Sequence, residues 1–263
     1  MPDHSDQTHC ANLVRRHDPD RWLTASLAPA ADRERLLALY ALHVEVSHIA
    51  ETVTEPMAVL IRFQWWREAL DLAESGGEVR NHPVLRQLAP NLAEGRIPEV
   101  ERNAYLDALE ADLDGLTPQD LAAFEAHART TGGSLSVLAA RLVGVGKADA
   151  LDVAEKVGTA HAMIARMLNA PWWASQGRNI LPSDPPQATR KIAARAGGLL
   201  AEARAGRPIV PPVALPVLMI ARITSGRIRR LEAAGFDVTA SRAHPLPLAR
   251  SLAVLRGALT GRY

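Results

Sequence analysis

Cysteine is nearly missing from this chain: Cys10 stands alone among 263 residues, so no internal disulfide can form, and the usage suits a reducing compartment. Aromatic side chains are equally scarce, at 4% against a total hydrophobic content of 48%. Alanine and leucine supply the balance, a bias that favours close-packed helices over sheets, whose strands prefer β-branched and aromatic residues. Long apolar runs are lacking too. The most lipid-like stretch, Ile209 to Ala221, is broken by Pro211, Pro212 and Pro216 and is too short to cross a bilayer. It reads as a buried helix entered through a proline-rich turn. The first seventeen residues have no apolar core of the kind a secretory signal needs, so export is not expected. They read as a flexible polar tail holding Cys10 as an inert thiol, ahead of one domain over 18–263, and the expected location is cytoplasmic.

Charge of one sign is scarce only locally. The net charge is +1, yet residues 185–263 hold 13 of the 30 basic and 3 of the 29 acidic side chains. Solvated arginine-rich helix faces account for this division. A basic surface seeking anionic lipid headgroups or an acidic protein would also account for it. Nucleic acid is not an expected partner, because no helix-turn-helix, zinc or aromatic-basic signature accompanies the charge.

Helical periodicity recurs along the whole chain, and no stretch shows sustained strand-like alternation. The spacing predicts a first long helix from Ala30 to about Val53, stopped by Thr54-Glu55-Pro56. A second runs over Ala58 to Glu74, ending at Gly76-Gly77. Further segments are expected at Pro83–Ala93, Glu99–Leu113, Thr117–Leu142, Ala148–Leu168, Pro186–Ala205, Val213–Ala234 and Pro247–Thr260. Thr117-Pro118-Gln119-Asp120 supplies a cap, a proline at the first helical position and an acid in the first turn. Pro171 to Gln187 reads as a long loop.

Apolar residues point in almost every direction along the first helix, from Leu36 to Val53, which marks it as buried. Its polar residues therefore need partners. Glu45, His48 and Glu51 follow at spacing three on one strip. They either line a cavity, with His48 and Glu51 as weak metal candidates, or pair with arginines such as Arg62 or Arg166 as internal ion pairs. On the second helix Arg62 and Arg67 flank Trp65-Trp66. The two indoles cannot both face one core, and the arginines are either anion ligands or ordinary salt-bridged side chains. His161 shares an apolar stripe with Val157, Ile164 and Leu168 and reads as a satisfied core histidine. Gly132-Gly133 implies close backbone approach or room for a ligand chain.

Three blocks in order carry a family resemblance. Leu39-Tyr40-Ala41 leads through Ser47, His48 and Glu51 to Glu55-Pro56 and Arg62-Phe63-Gln64-Trp65-Trp66-Arg67. His127 to Ser134 is a weaker match. Gly158-Thr159-Ala160 runs through Asn169 and Trp173 to Gly177-Arg178-Asn179-Ile180-Leu181-Pro182. This pattern resembles the squalene/phytoene synthase family over about Asp20 to Pro182. The resemblance implies an all-α isoprenoid-synthase fold, with helices around a central cavity. In catalytic members two Asp clusters on facing helices hold Mg²⁺ against an allylic diphosphate. Here Ser47, His48 and Glu51 fall at the first cluster, and Asn169 and Trp173 at the second.

Hard divalent ions need oxygen ligands to stabilise a departing diphosphate, and one surviving carboxylate cannot hold a cluster of them. No cofactor is therefore expected, Mg²⁺ entering only if prenyl transfer persists. Glu45, Thr54-Glu55-Pro56, Gln64-Trp65-Trp66 and Ala170-Pro171-Trp172-Trp173 are similar to a non-catalytic branch typified by a mitochondrial assembly factor for respiratory complex I. That branch implies a binding or assembly factor, a respiratory-complex subunit or assembly protein as partner, and a position peripheral to the inner membrane. The alternatives are a head-to-head prenyl diphosphate transferase and an isoprenoid or lipid carrier. Glu45, Ser47, His48, Glu51, His161, Asn169, Trp173 and Arg178 are the candidate cavity-lining residues, and Arg62, Arg67 and Arg166 the candidate anion ligands.

Overall fold

The computed structural model describes residues 4–49, 55–111, 117–182, 185–240 and 247–263, and these contain helices and turns with no strand. Two compact units are present. The described residues of Met1–Leu113 with Leu138–Val145 form the first, and those of Asp114–Val137 with Gly146–Tyr263 form the second.

In the first unit the expected tail is a helix, α1 (His4–His17), followed by α2 (Pro19–Ala25), α3 (Ala30–Ser47), α4 (Pro56–Glu74), α5 (Pro83–Ala93) and α6 (Glu99–Ala111). The correction at α1 has a clear physical cause. Asp6, Cys10 and Val14 recur at spacing four and bury one face against α3 and α5. Buried Asp6 takes a two-pronged ion pair from Arg86, both bonds 2.6 Å, which replaces the apolar anchor that its sequence lacks. Cys10 is 2% exposed, and burial, then Asp6, pushes its thiol up to about 12. It is inert because it is buried, not because it sits in a tail.

Leu36, Leu39, Leu42 and Val46 of α3 are buried with Phe63, Trp66 and Leu70 of α4 and Val84, Leu85, Leu88 and Leu92 of α5. Each such side chain contributes roughly 1.5–3 kcal/mol of burial free energy. Helix α4 packs on α5 and α6. Arg102 of α6 is 1% exposed and donates to Glu74 at 2.7 Å and Asp71 at 2.5 Å, so its charge is compensated inside the unit.

The second unit contains α7 (Leu121–Ala128), a π-helical turn over Arg129–Gly133, the first turn of α8 (Ser134–Leu142), α9 (Ala148–Ser175), α10 (Pro185–Ala205), two short 3₁₀ turns, α11 (Leu215–Leu218), α12 (Ile220–Ala233) and α13 (Pro247–Thr260). The single helix expected over Thr117–Leu142 is thus divided. Asp120, not Thr117, caps α7 by accepting from the Ala123 amide at 2.8 Å, while Thr117 donates to the Asn179 carbonyl at 2.7 Å. A Cβ at Gly132 would strike Ala162 and the Gly158 carbonyl, and one at Gly158 would strike Ser136 and the Gly132 carbonyl. The Gly132-Gly133 pair therefore serves close backbone approach to α9.

Helix α9 also runs on through Pro171 for 28 residues, past the expected end at Leu168. It stops at Gly177, whose φ of +75° lets the Gly177 and Arg178 amides fold back onto the Ala174 and Trp173 carbonyls, both at 3.0 Å. Its buried face packs against α10 and α12, and α12 packs in turn on α13.

Candidate functional site

The residues singled out by pattern fall on both units. On the first unit, α3 runs to Ser47 and is capped at His48, whose ring folds back and donates from Nδ1 to the Val44 carbonyl at 2.8 Å; the expected end at Val53 lies outside the described residues. Ser47 donates to the same carbonyl at 3.3 Å, and the His48 ring meets His17 edge-on at 4.7 Å between centroids. Glu45 is half-buried, and its charge acts on Cys10 and His82. Glu51 lies outside the described residues. Of the strip expected from Glu45 through His48 to Glu51, the first two residues stand at the C-terminal end of α3.

Arg67 is committed to Asp107 at 2.6 Å and to Glu110, which together hold its charge against the cost of burial. These contacts match the salt-bridged alternative of the two readings given for it. Arg62 is exposed on α4. The tandem indoles divide as their spacing requires. Trp66 is 5% exposed, Trp65 is only half-buried beneath the Arg80 guanidinium at 5.2 Å, and His82 abuts both rings.

Deeper in this unit lies a polar cluster that the pattern does not single out. Asp18 caps α2 and pairs with buried Arg21 at 2.6 Å. Arg21 lies over the Tyr40 ring at 5.7 Å, and His43 shares a 2.6 Å hydrogen bond with Tyr105. Burial, then the Arg21 charge, lowers the His43 pKa from 6.5 to about 3, so this imidazole is neutral at physiological pH. The Asp18-Pro19 pair is the only local signal, since it is an ordinary cap followed by proline at the first helical position.

On the second unit His161 is 4% exposed and bonds through Nδ1 to the Thr224 hydroxyl at 3.1 Å, while Thr224 donates to the Ile220 carbonyl at 2.9 Å. Its hydroxyl hydrogen being used, Thr224 accepts from His161. The histidine is a satisfied core residue. Arg166 donates to His127 Nε2 at 2.9 Å. Asn169 is exposed on α9. Trp173 is half-buried, set edge-on to exposed Trp172 at 4.7 Å and covered by Arg178 at 4.4 Å. This cation–π pair puts an indole and a guanidinium where the resemblance expects an acid.

The squalene/phytoene synthase family model matches residues 14–189, two thirds of the chain. The chain belongs to the squalene/phytoene synthase family. Its fold agrees with that of a dehydrosqualene synthase solved with ligand, at TM-score 0.81 and 15% identity over 98% of this chain and 96% of that one. It also agrees with squalene synthase HpnC from Alicyclobacillus acidocaldarius, at TM-score 0.76 and 18% identity over 89% and 95%. The all-α isoprenoid-synthase fold implied by the motifs is thereby shown. Curated relatives are complex I assembly factor 6 from Bos taurus and Homo sapiens, 27% and 24% identical over 176 residues. Those matches cover 67% of this chain and 53% of each relative, so the chain spans about half the length of the curated relatives it matches.

At the positions where the resemblance expects acids, Ser47 offers a hydroxyl and His48 a ring bonded to one backbone carbonyl, Asn169 an amide and Trp173 an indole, while Glu51 lies outside the described residues. Among the described residues, no three His, Cys, Asp or Glu side chains are grouped so as to hold a metal ion.

Proposed function

We propose that this family member acts as a binding or assembly factor for a respiratory complex and has no prenyl transfer activity. The observation that carries the reading is the Arg178–Trp173 pair where the resemblance expects an acid, together with the committed hydrogen bonds of Ser47 and His48 at the other expected cluster. An indole and a neutral hydroxyl offer no anionic oxygen to a hard cation. No Mg²⁺ is expected to be required. The resemblance to complex I assembly factor 6 supports a protein partner drawn from a respiratory complex or its assembly machinery. We place the protein in the cytoplasm at the inner membrane face; no helix of the described residues is long and apolar enough to cross a membrane.

Purified protein incubated with farnesyl or geranylgeranyl diphosphate and Mg²⁺ is expected to release no pyrophosphate. Turnover that disappears in Glu51→Gln would identify a working transferase and defeat the proposal. Retention of an extracted isoprenoid, seen by mass spectrometry without turnover, would replace it with the carrier reading. Unchanged respiratory complex I in cells lacking the protein would remove the assembly role.

A further inference from the structure

The C-terminal helices of the second unit hold a group of arginines without aspartate or glutamate partners among the described residues. Arg204, Arg207, Arg222, Arg229 and Arg262 line one cleft of about 500 Å³ together with Ser225. The ion pairs nearby go elsewhere: Glu125 and Glu202 pair with Arg195, and Asp152 with Lys156. Among the described residues none of the five is paired with an aspartate or glutamate side chain. Their hydrogen bonds run to main-chain oxygens and to the Ser225 hydroxyl. Arg204 donates to the Tyr263 main-chain oxygen at 3.0 Å and to Ser225 at 2.7 Å, Arg207 to the Gly261 carbonyl at 2.7 Å, and Arg222 to the Arg262 carbonyl at 3.1 Å. Each guanidinium carries five N–H donors, so most remain for a ligand.

Repulsion among these charges is part of the site. Burial, then Arg222, lowers the Arg204 pKa; burial, then Arg256 and Arg262, lowers that of Arg222. Folding has gathered cations that disfavour one another, and a bound anion would relieve this. A second cleft, of about 260 Å³, adjoins the first through Arg207 and Tyr263 and is lined by Val210, Pro211, Leu215 and Leu218. On α13 Leu252, Leu255 and Leu259 are 65%, 52% and 81% exposed and share a helix face. The arginine-lined cleft and the Val210–Leu218 cleft are contiguous through Arg207 and Tyr263.

We propose that the ends of α10, α12 and α13 form a binding site for a phosphate-bearing amphiphile. The phosphate is held among the five arginines, and the apolar part lies along the Val210–Leu218 groove. Guanidinium groups suit phosphate because their planar forks give paired hydrogen bonds. The site is separate from the family motif at the end of α9. Arg204 lies nineteen residues beyond Pro185, roughly 28 Å along α10 from its start. It goes beyond the assembly reading and survives that reading's failure.

The test compares the purified chain with Arg229→Gln/Arg262→Gln, which removes two charges whose side chains make none of the hydrogen bonds above. Co-sedimentation uses phosphatidylcholine vesicles with and without phosphatidylglycerol, and calorimetry uses inorganic pyrophosphate as the free phosphate. Binding to the anionic vesicles alone, about 30-fold weaker in the double variant, assigns the site to a lipid headgroup. Pyrophosphate binding without vesicle binding, weakened in the same variant, assigns it to a soluble phosphate compound. Arg16→Gln, exposed on the first unit, is expected to bind as the unaltered chain does. Ser225→Glu places a carboxylate in the cleft and is expected to fold with unchanged or higher thermal stability while losing the ligand. Failure to bind either probe, or equal binding by the unaltered chain and Ser225→Glu, overturns the proposal.

Discussion

Arg102 in the first unit and Arg204 in the second show two opposite treatments of the same side chain. Arg102 is 1% exposed and enclosed by Asp71 and Glu74. Arg204 keeps its charge near Arg222 and Arg229 and gives its hydrogen bonds to the Tyr263 main-chain oxygen and the Ser225 hydroxyl. The first unit neutralises its cations wherever they enter the interior, as Arg21 with Asp18 and Arg67 with Asp107 and Glu110 also show. The C-terminal part of the second leaves like charges together at its surface. Compensated charge holds a fold together, whereas uncompensated charge is available to something outside it.

The largest effect is expected from removing the compensation. Asp71→Ala/Glu74→Ala leaves the Arg102 guanidinium buried without a carboxylate, and a loss of about 3–5 kcal/mol in unfolding free energy is expected from urea melts. A loss below about 1 kcal/mol would show that Arg102 finds water instead, and the contrast between the units would weaken.

Next in size is a pH effect confined to the first unit. His43 binds its proton far more weakly in the fold, near pH 3, than in the unfolded chain, near 6.5. Between those values the unfolded state holds more protons, so stability falls as pH falls. The slope is up to about 1.4 kcal/mol per pH unit. His82, whose pKa burial also lowers, acts in the same direction. Denaturant midpoints measured from pH 7 to pH 4 should show the decline, and His43→Gln should flatten it. An unchanged slope in that variant would mean that His43 is not the group titrating.

Much of this architecture is legible in the amino-acid order. The all-α fold follows from alanine-rich helical periodicity and from three ordered motifs, and the apolar stripe around His161 marks it as a core residue. The features that local pattern misses depend on contacts made far along the chain. α1 is too polar to read as a buried helix, because its anchor is the Asp6–Arg86 pair, eighty positions apart. The continuation of α9 through Pro171 overrides a local signal with burial of a long face, and α3 is capped by a histidine side chain turning back on its own helix. The basic bias of residues 185–263 is plain in the composition, but its gathering into a cleft requires α10, α12 and α13 to bring Arg204, Arg222 and Arg262 together.

The smallest expected effect tests whether that gathering costs stability. Arg229 is exposed, so its repulsion with Arg204 and Arg222 is strongly screened, and it has no carboxylate partner to lose among the described residues. Arg229→Gln alone should therefore raise the unfolding free energy by a few tenths of a kcal/mol at low salt, the gain vanishing as salt is added. Arginine in a compensated site behaves in the reverse way, since its removal destabilises. A destabilisation of about 1 kcal/mol at Arg229 would place this residue in the class of Arg102, and the cleft would then be a structural feature of the fold and not a site held open for an anion.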